Sequence, residues 1–206
     1  GASLDGLINN QADVAFSSSI SGKAYQLAKS PRGLNYPIIA HSDKEGWKRL
    51  QAIAPFFFPF NGKEGADLSA TNTAESASYP YPVLMTYAKQ DPKLVKAMTA
   101  AMVDTFDAYK GSAPGNSGWA LSRQNFGWVV PYHEGAIAYF KEKGIWTAEH
   151  EKNNAMLIKR QQVLANAWKE VQSRKHADDK AFAQDWMKTR ASSLTKAGMD
   201  PVMTSW

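Results

Sequence analysis

Three short apolar runs, set between helical patterns, constrain what this chain can fold into. Asp13-Val14-Ala15-Phe16, Tyr36-Pro37-Ile38-Ile39-Ala40 and the run from Val83 to Tyr87 have the length and side-chain content of strands. A helix is expected from about Lys23 to Lys29, ended by the turn Ser30-Pro31-Arg32-Gly33. Another begins where Asp43 can cap it and runs to about Ile53, with Glu45 in its first turn. Strands alternating with helices predict an α/β layer rather than an all-helical bundle. Two or three strands rarely make an independent sheet with a buried face. The chain therefore reads like the C-terminal part of something larger.

From Asp91 onward the pattern is helical. Asp91 caps, Pro92 takes the first helical position, and Leu94, Met98, Met102, Phe106 and Tyr109 form one apolar stripe. In VVPYHEGAIAYFKEKG (Val129 to Gly144), a turn with Pro131 and His133 leads into a short amphipathic helix. Gly144 supplies the left-handed backbone that stops it. Thr147 then opens a long helix to about Arg174, and a last one runs from about Asp178 to Ala197.

The 206 residues suffice for one domain or two small ones. No apolar run approaches the roughly eighteen residues that a membrane helix needs. The opening GASLDGLINN lacks the basic start and apolar segment of a signal peptide. There is no cysteine, which removes disulfides, thiolate metal ligands and cysteine nucleophiles. The net charge of +5 is spread along the chain. That distribution fits a solvated surface better than a nucleic-acid patch. No cofactor is implied.

Two segments between the helices stand out. APFFFPF (Ala54 to Phe60) is expected to run extended across a core, or to wall a pocket, because its prolines oppose a helix and a central strand. The polar stretch from Asn61 to Ser78 is expected to be a long loop.

Three segments carry a family resemblance, in order: LDGLINNQADVAF (Leu4 to Phe16), YPYPVLMTYAKQDPKLVKAM (Tyr79 to Met98) and VVPYHEGAIAYFKEKG. Over roughly residues 3 to 146 the chain resembles the C-terminal two-thirds of the TAXI family of extracytoplasmic solute receptors, which serve TRAP-type transporters. The third segment is the most specific, though Glu134 stands where the family usually has proline. The helical tail after Trp146 extends past the family's usual end.

The resemblance implies an α/β, periplasmic-binding-protein type II-like two-lobed fold, here partial, with a helical C-terminal extension. Residues 1–78 would belong to the second lobe, and 79–146 to the crossover strand and helices returning to the first. Residues 147–206 would form the extension. The implied function is non-enzymatic: periplasmic capture of a small, anionic organic solute (a carboxylate, amino or oxo acid) and delivery to TRAP membrane subunits. The remaining partner would be the missing N-terminal portion of the receptor, or a dimer mate.

Candidate ligand contacts follow. Ser17, Ser18, Ser19 and Gly22 come after a strand and before a helix, where hydroxyls and free N–H groups form an anion cradle; equally, they form a serine-rich turn that caps the helix. Tyr79 and Tyr81 flank the presumed crossover and offer an apolar face with a hydroxyl donor, or are loop tyrosines held by neighbouring prolines. His133-Glu134 lacks the second histidine of a zinc motif, position 137 being Ile. Its expected role is structural, with His133 bonding nearby backbone. No serine-nucleophile elbow is present. The alternative to a receptor is a helical interaction protein that uses its C-terminal helices to bind another chain.

Overall fold

The computed structural model describes residues 2–204. Its elements in chain order are α1 (Ala2–Ile8), α2 (Gly22–Ala28), α3 (Lys44–Ile53), β1 (Phe58–Gly62) and β2 (Ala74–Ser78). They are followed by α4 (Pro92–Asp104), α5 (Phe106–Tyr109), α6 (Glu134–Glu142), α7 (Ala148–Gln172) and α8 (Asp179–Lys196). Helices take up about half of this mixed α/β chain, and the one sheet among the described residues has two strands. The chain divides into two compact units. The first comprises the chain up to Gln51, Phe57–Met85 and Ala101–Gln124; the second comprises Ala52–Phe56, Thr86–Ala100 and the chain from Asn125 onward.

In the first unit, α1 and α2 pack through Leu4, Ala24, Leu27 and Ala66, with Leu7, Ile8, Ala15 and Leu34 around them. Burying a leucine such as Leu27 contributes roughly 1.5–3 kcal/mol. Arg32 donates from one guanidinium nitrogen to the carbonyls of Leu7 (3.0 Å) and Ala12 (2.9 Å). It thereby satisfies acceptors at and beyond the end of α1. Asp43 caps α3 as its side-chain chemistry predicts, accepting from Gly46 N–H at 2.8 Å.

Strand formation departs from expectation. Residues 13–16, 36–40 and 83–87 run without regular secondary structure and enter no ladder. Instead, strand β1 comes from the phenylalanine-rich segment, and β2 from within the stretch expected to be loop. They pair antiparallel from Phe58↔Ser78 to Gly62↔Ala74. Each strand of a two-stranded ribbon keeps a free edge, so Pro59 is tolerated there. The segment is not pressed across a core: Phe56 and Phe60 are exposed.

In the second unit, α6 and the start of α7 meet at an aromatic cluster. The ring of Phe126 meets those of Phe140 (4.8 Å), His150 (5.2 Å) and Trp146 (5.7 Å), and Tyr132 meets Trp146 at 5.6 Å. Such pairs contribute about 0.5–1.5 kcal/mol each beyond the area they bury. Burial pushes the Tyr132 hydroxyl up to about 12. Buried Asn154, on α7, accepts the backbone N–H of Tyr132 at 2.7 Å.

Gly135 touches the start of α4 so closely that a β-carbon there would lie 2.3 Å from the Pro92 carbonyl oxygen. Gly144 closes α6 at φ +70°. The Thr147 side chain accepts from His150 N–H, while His150 Nδ1 accepts from Thr147 N–H, a reciprocal cap at the start of α7. Between α7 and α8, the Asp185 carboxylate takes His176 Nε2 at 2.9 Å and Arg174 Nη1 at 2.7 Å. These partners, His176 foremost, hold its pKa down at about 2. Val171 and Leu194 are fully buried between these helices, while Trp168 packs edge-on against Trp186.

The apolar stripe expected of α4 is not a buried one. No residue of α4 is buried, and Leu94 and Met98 are exposed. Helical periodicity states which side chains share a face; it does not state that anything covers that face.

Candidate functional site

The serine loop is tied at Ser19 to residues 64–66. Ser19 Oγ donates to the Glu64 carbonyl at 2.8 Å, and the Ser19 carbonyl accepts Ala66 N–H at 2.9 Å. Tyr36 then donates its hydroxyl to the Ala66 carbonyl at 2.8 Å. Gly65 fits between these bonds because it has no side chain: a β-carbon there would lie 2.6 Å from the Ser19 carbonyl oxygen. Its φ of +123° also disfavours any other residue.

The Glu64 side chain extends the cluster. Its carboxylate accepts from Arg123 Nη2 and Ser117 Oγ, each at 2.5 Å, and Arg123 Nη1 donates to Ser117 Oγ at 3.1 Å. The Arg123 guanidinium, ahead of the Ser117 hydroxyl, pulls the Glu64 pKa below its ordinary value. Ser117 sits in the 3₁₀ turn Asn116–Trp119, which also meets two other segments. A β-carbon at Gly115, just before it, would lie 2.5 Å from Ile20 Cδ1, and one at Gly118 would lie 2.5 Å from the Tyr81 carbonyl oxygen.

The Ser17 and Ser18 side chains are exposed, and among the described residues their hydroxyls have no hydrogen-bond partner. Ser19 is spent on the Glu64 carbonyl. Gly22 is the exposed first residue of α2, but the cap is Ser21, whose hydroxyl accepts Ala24 N–H at 3.1 Å. Ser17–Ser19 therefore do not cap the helix. Tyr79 stacks edge-on against Phe57 (6.0 Å), which meets Phe16 (6.3 Å) just before Ser17. Tyr81 is exposed and joins the same neighbourhood through its backbone, beside Gly118.

Glu64, Gly65, Ser117 and Arg123 had no signal in the sequence. Their side chains are of common surface types, and the bonds that join the Glu64 segment to Ser19, Ser117 and Arg123 span 45, 53 and 59 residues. Glycines at 115 and 118 flanking a serine were the single local hint.

One cavity of about 440 Å³ opens elsewhere in the first unit, lined by His41, Lys44, Trp47, Lys48, Gln51 and Pro59. Several of its polar groups already serve the fold: Trp47 Nε1 donates to the Ala40 carbonyl and Lys44 to the His41 carbonyl, while Gln51 donates to the Phe57 carbonyl. It reads as the cleft between α3 and β1.

His133 has the structural role expected of it, its Nδ1 accepting Gly135 N–H at 3.1 Å as the cap of α6. Among the described residues no group of three or more His, Asp or Glu is arranged to hold a metal. None of their helices is long and apolar enough to cross a membrane.

A model of the NMT1-like family matches residues 2–144. The chain belongs to the NMT1-like family. This is a family of periplasmic solute-binding proteins, whose members bind substrates rather than transform them. No curated protein and no solved structure matches the chain. The serine loop, Glu64, Tyr79, Tyr81, Ser117 and Arg123 all lie within the NMT1-like segment, whereas α7 and α8 lie beyond it.

Proposed function

We propose that this protein is an extracytoplasmic solute receptor of the TAXI type. It captures a small anionic organic solute, a carboxylate, amino or oxo acid, and delivers it to the membrane subunits of a TRAP transporter. On this reading residues 1–78 contribute to the second lobe, and 79–146 return to the first. The portion of the receptor that precedes these motifs, or a dimer mate, completes the cleft.

The observation that carries the proposal is the braced serine loop inside a solute-binding family segment. Ser17 and Ser18 present unengaged hydroxyls, while Ser19 is tied down by Glu64 and Ala66. Pre-fixed donors recognise a carboxylate without a large ordering cost. Arg123 is paired with the Glu64 carboxylate and holds the turn of Ser117 against the loop's support, while Tyr79 and Tyr81 add exposed aromatic faces.

A thermal-shift panel of carboxylates, amino acids and oxo acids tests this. A solute at 100 times its dissociation constant should stabilise the protein by about 2.7 kcal/mol. The double variant Ser17→Ala/Ser18→Ala should keep the melting temperature of the free protein and lose the shift. A panel without any responder, or an unchanged shift in the double variant, would count against the site.

A further inference from the structure

Glu64 holds two different segments with two different parts of itself. Its backbone grips the serine loop: the Glu64 carbonyl accepts Ser19 Oγ at 2.8 Å, and two residues on Ala66 N–H donates to the Ser19 carbonyl at 2.9 Å. Its carboxylate grips the turn Asn116–Trp119. Ser117 Oγ donates to Glu64 Oε2, Arg123 Nη2 donates to Glu64 Oε1, and Arg123 Nη1 donates to Ser117 Oγ. The serine hydroxyl accepts from the arginine and gives its one proton to the carboxylate. Its rotor is thereby fixed, and the three side chains close a ring.

The turn reaches both groups of candidate contacts. A β-carbon at Gly115 would lie 2.5 Å from Ile20 Cδ1, on the residue after Ser19. One at Gly118 would lie 2.5 Å from the Tyr81 carbonyl oxygen and 3.0 Å from Pro82 Cδ. From behind, Asn116 Nδ2 donates to the Tyr109 carbonyl at 3.0 Å and to Ser112 Oγ at 2.9 Å, which anchors the turn to the end of α5. The serine loop and the Tyr81 backbone thus share one support, and every member of it belongs to the first unit.

The ring brings no free charge to a solute, because Arg123 is engaged by Glu64 and Ser117. Both ions are 47% exposed, so the pair adds little to global stability. What the ring fixes is position. Arginine suits this task, since its rigid fork gives separate nitrogens to two partners where lysine offers a point charge.

We propose that Arg123 is a positioning residue for solute capture: through Ser117 and the Glu64 carboxylate it holds the serine hydroxyls and the Tyr81 segment in one frame, without touching the solute. This rests on the solute-receptor reading above.

Two measurements on the full chain test it. One is hydrogen exchange of the free protein; the other is calorimetric titration with a panel running from acetate, glycine and pyruvate to five-carbon dicarboxylic members of the same classes. Arg123→Gln should keep a urea midpoint near the parent's, yet the Ala66 amide, bonded to the Ser19 carbonyl, should exchange at least about fivefold faster. Affinity for a responding solute should fall at least about fivefold, because the contacts are no longer pre-fixed. Arg123→Lys, which keeps the charge and loses the fork, should show the same loss of affinity. In a Ser18→Ala background the further loss on Arg123→Gln should shrink below about twofold, the two residues acting through one contact. Losses that simply add would place Arg123 on the solute itself and overturn the proposal, as would full affinity in Arg123→Lys. Unchanged exchange at Ala66 would remove the frame whatever the titrations show. Faster exchange with no responding solute would establish the frame and remove the receptor reading instead.

Discussion

Gly65 lies against Ser19 with no room for a side chain, the nearest Ser19 atoms falling 2.6 Å from where a β-carbon would sit. One close approach therefore sets the position of the serine loop. Gly65→Ala should shift the loop and cost about 1–3 kcal/mol from overpacking alone, with strain at positive φ added. The expected readout is a lowered urea midpoint together with a weakened solute shift. An alanine variant as stable as the parent would mean that the loop yields freely.

The Glu64–Arg123 pair is half-exposed, so its contribution is small. Glu64→Gln should destabilise by about 0.5–1 kcal/mol or less near neutral pH. The Glu64 pKa is depressed in the folded state. Its contribution is therefore present above the ordinary carboxylate pKa and is lost as pH falls through the depressed value. Parent and variant midpoints should converge in acid, and a gap that persisted there would assign the effect to something other than this charge.

Asp185 makes a similar argument in the C-terminal helices. Its pKa falls from 3.8 to about 2 on folding, His176 and Arg174 being the main causes. Stability from these bonds is complete above the unfolded value and disappears as pH drops toward about 2. Asp185→Asn should lower the urea midpoint at neutral pH, followed by helical circular dichroism. The difference should shrink through that window.

Gly135 gives a prediction for the second unit. An alanine there would meet the Pro92 carbonyl oxygen at 2.3 Å and Val95 Cβ at 2.9 Å. Backbone on one side leaves little to give way, so Gly135→Ala should cost about 1–3 kcal/mol or more despite alanine's better helix propensity. A rise in melting temperature would show that α4 can retreat from α6.

Helix ends were legible because capping chemistry is local. Asp43, Asp91, Thr147 and Asp178 each bond a backbone N–H two or three residues ahead, as their positions predict. Gly144 stops α6 for an equally local reason. Strands were misplaced because pairing is not local. Val14 and Phe16 have strand composition without a neighbour, whereas Ala74–Ser78, with no apolar residue larger than alanine, became β2 by lying beside Phe58–Gly62. The serine loop was recognisable by composition, but its supports Glu64 and Arg123 were not, because charged residues at such separations leave no pattern in sequence.

The hydrogen bond from Tyr132 N–H to Asn154 crosses the border at which the family match ends. Phe126, Tyr132 and Phe140 lie before Gly144, while Trp146, His150 and Asn154 lie after it. Kinship and mechanics therefore have different edges in this molecule. A protein trimmed at Gly144 would keep every residue of the recognised ancestry and expose the rings and backbone amide that hold that ancestry's last helix in shape.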